Sequence, residues 1–269
     1  MNATAAHAPA FDALAEEYDQ VFTNSVIGRA QRNAVWEVAR KVFRNRDRIL
    51  ELNCGTGEDA LFLARAGMSV LACDVSARMI RVATARVQAE LPAGDIEFRV
   101  LENERLGELR PKAALDGVFS NFSGLNCVQD LSRVARELAR LVRPGGNALL
   151  CFSSRVCIWE ICWFLLHGDA RKAFRRLARE GNEAKIGKEK MRVWYPRVQK
   201  ITRAFAPWFE LRGRCAVGLL VPPSYVERWA KEHPAEVRRL SSWDDRLRGF
   251  PVLRDCGDHT LFHLQRSKA

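Results

Sequence analysis

With 269 residues, 48% hydrophobic and 9% aromatic, the chain can bury a large core, which excludes a disordered or fibrous protein. Its 43 basic and 32 acidic residues leave +11, and the excess is confined: residues 1–150 balance at 19 each, while residues 151–269 hold 24 basic and 13 acidic. The longest apolar run, CIWEICWFLL, is about half of a membrane span and contains Glu160, which argues against a transmembrane helix.

In chain order, residues 11–43 predict two helices. FDALAEEYDQVF puts Phe11, Leu14, Ala15, Tyr18 and Phe22 on one stripe, and GRAQRNAVWEVARKVF repeats apolar residues at helical spacing. After the charged run RNRDR, strands and helices alternate. RILELN is a strand, EDALFLARAG a helix stopped at Gly67, and SVLACD a second strand. SARMIRVATARVQAEL is a helix with Ser76 as its cap, IEFRVL a third strand and LDGVFSNF a fourth. DLSRVARELARLV is a helix capped by Asp130, RPGG turns the chain, and NALLCF is a fifth strand. Residues 153–207 predict a mostly helical insertion. FELRGRCAVGLLVPP and HTLFHLQR add two strands, separated by a long excursion from Ser224 to Asp258. The sum is α/β: a doubly wound, mostly parallel seven-stranded sheet, whose ligands bind at the carboxyl ends of the strands near the switch point.

The eight cysteines show neither a CxxC pair nor Cys/His spacing for a metal, and most lie in apolar runs. The start MNATAAHAPAFD lacks a basic region followed by an apolar one. Free thiols in a reducing cytoplasm, with no metal, are therefore expected.

Gly55 and Gly57 follow the first strand and precede a helix, a turn at which a ligand can approach the backbone closely. Asp74 lies 19 residues after Gly55 at the end of the next strand, where an acid accepts hydrogen bonds from a ribose. Two features argue against NAD. Ala60 stands in place of the third glycine of GxGxxG, and Glu58 and Asp59 would repel a pyrophosphate. A cofactor with an amino-acid end and a sulfonium charge would not be repelled.

ILELNCGTGEDALFLA, VLACDVSARMI, IEFRVLENERL, LDGVFSNFSGLNCV and LVRPGGNALLCF resemble, in order and spacing, the motifs of class I S-adenosylmethionine-dependent methyltransferases, whose fold is Rossmann-like. The resemblance covers about residues 11–152, with Asn53 where the family pattern has glycine. It implies that Glu51 and the Asn53–Gly57 backbone, including Gly55 and Gly57, hold the methionine end of the cofactor. It also implies that Asp74 binds the ribose hydroxyls with Val75 against the adenine, and that Glu102 and Asn103 read the adenine edge. Ser120 and Asn121 would meet the cofactor ammonium, and Tyr18 would close over it. One domain is expected: an N-terminal helical cover (1–48), a cofactor core (49–152), a helical lid insertion (153–207), and two last strands with a substrate-side connection (208–269).

The acceptor is less legible. SNFSG is not the NPPY-type motif of enzymes that methylate amino groups of DNA or protein glutamine. Candidate bases are His259 at the start of the last strand, His167 after ICWFLL, and Tyr195 in VWYP. ARKAFRRLAR predicts an amphipathic basic helix, with Arg171, Lys172, Arg175, Arg176 and Arg179 opposite its apolar face. It is expected as a lid over a small-molecule pocket, against two alternatives: plain packing and contact with an anionic membrane surface. The leading function is methyl transfer from S-adenosylmethionine to a small molecule of specialised or lipid-related metabolism, releasing S-adenosylhomocysteine. RNA methylation through residues 171–203, which carry +9, and a non-catalytic cofactor-binding protein are the alternatives. The acceptor atom and the oligomeric state are left open.

Overall fold

The computed structural model describes residues 8–178, 181–186 and 189–268. Its sheet has seven strands in the order β3-β2-β1-β4-β5-β9-β8. They are β1 (Arg48–Leu52), β2 (Ser69–Asp74), β3 (Ile96–Val100), β4 (Leu115–Ser120), β5 (Val142–Ser153), β8 (Phe209–Val217) and β9 (His259–Arg266). The first five are parallel, and β9 runs antiparallel to both β5 and β8. The chain steps outward from β1 to β3 and then returns to the other side of β1 as β4. The carboxyl ends of β1 and β4 therefore flank the switch point.

Helices cover both faces, as apolar residues on both sides of the central strands require. On one face α2 (Val26–Val42) and α3 (Glu58–Arg65) bury Val35, Ala39 and Leu63 against Ile49 and Phe119. On the other, α5 (Leu131–Leu141) and α8 (Val198–Phe205) bury Leu138 and Phe205 against Leu50 and Phe262. Each such side chain contributes about 1.5–3 kcal/mol. The expected caps form: Ser76 Oγ accepts from Met79 N at the start of α4 (Ala77–Glu90), and Asp130 Oδ1 from Ser132 N. The N-terminus of α2 is capped twice, by Ser25 and, from α9 (Glu227–Glu232), by Glu227, which accepts from Val26 N and Ile27 N. The excursion of residues 224–258 folds as α9 and α10 (Pro234–Leu247), with Val226, Ala230 and Val237 packed on Ile27.

Three expectations fail locally. The helix predicted over 11–22 splits into α1 (Ala8–Leu14) and one π-helical turn, Asp19–Thr23. Asp12 accepts from Ser76 Oγ, and Asp19 accepts from Thr56 Oγ1, so tertiary hydrogen bonds set the backbone path. RPGG turns the chain inside β5 rather than ahead of it: residues 143–146 bulge out against Asp116 alone, with Gly145 at φ 77°.

The insertion is the third. It contains α6 (Ile158–Leu166), a four-residue α7 (Ala170–Ala173), a hairpin of β6 (Asn182–Ile186) and β7 (Glu189–Val193), and α8. The basic helix breaks after Ala173 because Arg175 and Arg176 both bind the buried Glu160 carboxylate. Consecutive residues of a continuous helix point about 100° apart and do not face one carboxylate together. Arg176 is itself buried and also holds Asp258, so it does not lie on a solvated face. Arg179 lies outside the described residues.

Candidate cofactor site

Between β1 and α3 the backbone enters the left-handed region at Asn53 (φ 57°), Gly55 (φ 53°) and Gly57 (φ 78°). The two glycines differ. A Cβ on Gly55 would meet nothing within 4 Å, since this position faces open space. One on Gly57 would lie 2.8 Å from Ala83 Cβ, so Gly57 serves the close packing of the turn on α4. Asn53 keeps its left-handed backbone with a side chain that donates to Ser120 Oγ (3.2 Å) and accepts from Asn103 Nδ2 (2.8 Å). Asp74 closes the turn by accepting from Gly55 N and Ser76 N, both at 2.9 Å.

Above these strand ends lies a cavity of about 250 Å³. Of the residues predicted to hold a cofactor, Tyr18, Asn53, Gly55, Asp74, Val75, Glu102, Asn103 and Asn121 line it. Glu51, Gly57 and Ser120 do not, and stand behind the wall. Sequence reasoning missed other walls: Arg32 from α2, Met79 and Leu101 beside Val75, Phe122, and Ala184, Met191 and Val193 from the hairpin. The hairpin had a signal in the alternation of EAKI and KMRV. Arg32 had none, because the sequence of α2 announces only its apolar stripe.

The acids after the turn are all partnered. Glu58 binds Arg29 and Arg86 at 2.6 Å each, and Asp59 binds buried Arg32 and the Trp36 indole. Repulsion of a pyrophosphate by free carboxylates, expected from the sequence, therefore loses its basis. Arg86 also grips Asp19, so this network ties the N-terminal cover to the turn. Tyr18 is half-buried, and burial pushes its phenol up to about 12, which keeps it a hydrogen-bond donor.

The donor set fits S-adenosylmethionine. Glu51 is 1% exposed, its Oε2 has no partner, and burial holds its carboxyl well above the usual range. A buried, partnerless acid is completed by a cation such as an amino-acid ammonium. Asp74 spends two hydrogen bonds on backbone and, with about four acceptor sites, keeps room for two hydroxyls. Val75, Met79 and Leu101 supply an apolar wall for a base, with Glu102 and Asn103 at its edge.

The three base candidates do not converge. His167 is exposed, stacked on Trp163 at 4.3 Å, and lines no part of the cavity. Tyr195 lies under the Arg176 guanidinium and faces a separate groove. His259 is buried with Nδ1 unpartnered, 3.6 Å from Asp258 Oδ2, and burial lowers its pKa. It does not line the cavity but packs edge-on to Phe122, which does. Phe122 and Ser123 both have positive φ (44° and 67°), so the loop after β4 is strained where it forms this wall.

Strand order, glycine turn and ribose-side acid define the fold class as that of class I S-adenosylmethionine-dependent methyltransferases. Comparison agrees: residues 49–146 match the family model described as Methyltransferase domain. The chain is 36% identical over 145 residues to a demethylmenaquinone methyltransferase of Streptomyces avermitilis, covering 52% of this chain and 57% of that protein. It is 32% identical over 149 residues to the protein of that name from Mycobacterium marinum, covering 54% and 59%. The chain thus spans little more than half the length of these relatives. An S-adenosylmethionine-dependent methyltransferase from Mesorhizobium loti shares the fold, with a TM-score of 0.54 at 17% identity over 87% of this chain and 98% of that one. So does the [4+2]-cyclase SpnF, with a TM-score of 0.56 at 16% identity over 89% and 81%. Among the described residues no helix is long and apolar enough to cross a membrane.

Proposed function

We propose that the protein transfers a methyl group from S-adenosylmethionine to a small-molecule acceptor of specialised or lipid-related metabolism. The observation that carries this reading is the buried Glu51 Oε2, which has no partner, at the end of β1 beside a cavity that Asp74 and Glu102 line. When bound, the cofactor supplies a methyl group on a positively charged sulfur. The protein's part is to bind and orient. Glu51 pairs with the ammonium, Asp74 holds the ribose, and Glu102 with Asn103 reads the base. Phe122, Met191 and Val193 give the cavity apolar walls that exclude water. The demethylmenaquinone methyltransferase relatives support the lipid-related side of the reading.

His259 is the base we assign if the acceptor needs one. Its lowered pKa leaves the imidazole neutral near pH 7, with Nδ1 free of any hydrogen-bond partner. Phe122 must then turn aside to let an acceptor reach it. A second reading comes from the likeness to SpnF: the same fold can serve a reaction other than methyl transfer. Incubation with methyl-labelled S-adenosylmethionine and a host extract tests both. Label in a small polar or lipid product is expected. Cofactor binding with no label transferred to any fraction overturns methyl transfer.

A further inference from the structure

A groove of about 710 Å³ lies next to the cofactor cavity. The two share a thin wall. Val128 and Val193 face the cavity, while their chain neighbours Gln129 and Trp194 face the groove. Buried Asn126 pins this wall: its backbone oxygen accepts from Trp194 N and its side chain donates to Trp194 O, each at 2.7 Å.

The groove gathers several cations on one wall. Most arginines of the cofactor half are held in ion pairs, as Arg29, Arg32, Arg86, Arg105 and Arg143 are. Arg197, Lys200 and Arg203 line the groove, are exposed, and make no ion pair among the described residues. They stand at i, i+3 and i+6, so they share one side of α8 and its N-cap, while Ile201, Ala204 and Phe205 bury the other. Arg155 also lines the groove, bonded to Tyr195 O (3.1 Å). Against these cations stands one carboxylate, Asp130, which is already engaged in capping α5.

We propose that this groove binds the diphosphate or similarly dianionic group of a small molecule, and that this molecule is the methyl acceptor. This rests on the methyltransferase reading above. The stripe spans about 9 Å along the helix, so flexible side chains from two turns can converge on one multiply charged group, which a single carboxylate would not use. Exposed cations with no ion pair among the described residues, on one groove wall, suit such a ligand, since charge-assisted bonds to phosphate are the strong ones. The short extent of the stripe favours a compact anion over a long nucleic-acid track. The thin wall places the anion beside the cavity, so the uncharged end of the same molecule can reach over Val128 and Val193.

Calorimetry with the full chain, saturated with S-adenosylhomocysteine, uses inorganic pyrophosphate as the probe. Pyrophosphate binding is expected, and R197Q/K200Q/R203Q weakens it by roughly tenfold or more while the affinity for S-adenosylhomocysteine holds. No binding, or equal binding by the variant, overturns the site. Binding of a single-stranded RNA of about 20 nucleotides more than ~100-fold tighter than pyrophosphate, through the same residues, overturns the small-anion reading. The acceptor assignment is read separately: labelled product from host extract should lose its anion-exchange retention on phosphatase treatment, and an uncharged labelled product overturns it. Failure of S-adenosylhomocysteine to bind would strike the cofactor reading instead.

Discussion

Residues 49–152 and residues 153–258 are built on opposite principles. In the first, local sequence and final structure agree at almost every step. Strand, turn, capped helix and strand recur, and ion pairs such as Arg86–Glu58 tighten a frame already set by periodicity. In the second, ion pairs decide the path. Glu160, Arg175, Arg176 and Asp258 pull α6, α7 and the start of β9 together and cut short a helix that the local pattern favours. The cofactor half is a standard receptor, and the other half is a shape imposed on it by buried charge.

The largest effect should come from breaking that charge cluster. Arg176→Met leaves Glu160, 1% exposed, with one partner fewer and takes an ion-pair partner from Asp258. A loss of about 3–5 kcal/mol is expected, seen as a fall in Tm of roughly 6–15 °C. Adding Glu160→Leu should restore a good part of it, because an apolar pair costs no desolvation. S-adenosylhomocysteine affinity should stay, since no member of the cluster lines the cofactor cavity. A lost affinity would mean that the two halves are not independent.

Asp74→Ala attacks the other side of the comparison. It removes the acceptor proposed for two ribose hydroxyls and unpins Gly55 N and Ser76 N. A loss of about 2–4 kcal/mol in binding is expected, roughly 30- to 1,000-fold in Kd. Asp74→Asn, which can still accept from one N–H, should lose less. Unchanged calorimetric affinity in both would refute the ribose role.

Glu51 gives a test by pH. In the cofactor-free protein burial holds its carboxyl well above 4.5. Between 4.5 and that raised value the folded chain keeps a proton that the unfolded chain has lost. This group's contribution to stability therefore falls as pH rises through the window. An ammonium placed against Glu51 favours the ionised form and expels the proton. S-adenosylhomocysteine affinity should rise with pH through the same window, and calorimetry in buffers of different ionisation heat should register proton release. Glu51→Gln should abolish that release, whereas release unchanged in Glu51→Gln would assign it to another group.

How much of this could be read in the sequence follows the same division. The turn at Gly55 and the acid at Asp74 were legible because each is dictated by its own strand end. Ser76 and Asp130 were legible as caps because a cap bonds within three residues of itself. Arg32 was not legible: its partner Asp59 is 27 residues away, and nothing on α2 announces it. The fate of Arg175 and Arg176 depended on where α6 placed Glu160, which no local pattern records. Of the base candidates, His259 gained a reason only through Phe122, whose strained backbone the string SNFSG does not show.

Asn53 is where the two principles meet inside the cofactor half. The family pattern has glycine there, and the backbone remains left-handed at φ 57°. Glycine would remove a strain of roughly 1–2 kcal/mol. It would also lose the bonds to Ser120 and Asn103, about 1 kcal/mol each, and add backbone freedom to the unfolded chain at about 0.5–1 kcal/mol. The losses outweigh the gain by about 1 kcal/mol, a fall in Tm of roughly 2–4 °C. The side chain crosses from β1 to Ser120 and to Asn103 beside Glu102, so it braces the cavity rim proposed to meet the base. Asn53→Gly should therefore cost some stability while leaving the ribose contacts of Asp74 in place. A higher Tm in the variant would mean that the strain outweighs the brace, and that asparagine stands at this position for the ligand rather than for the fold.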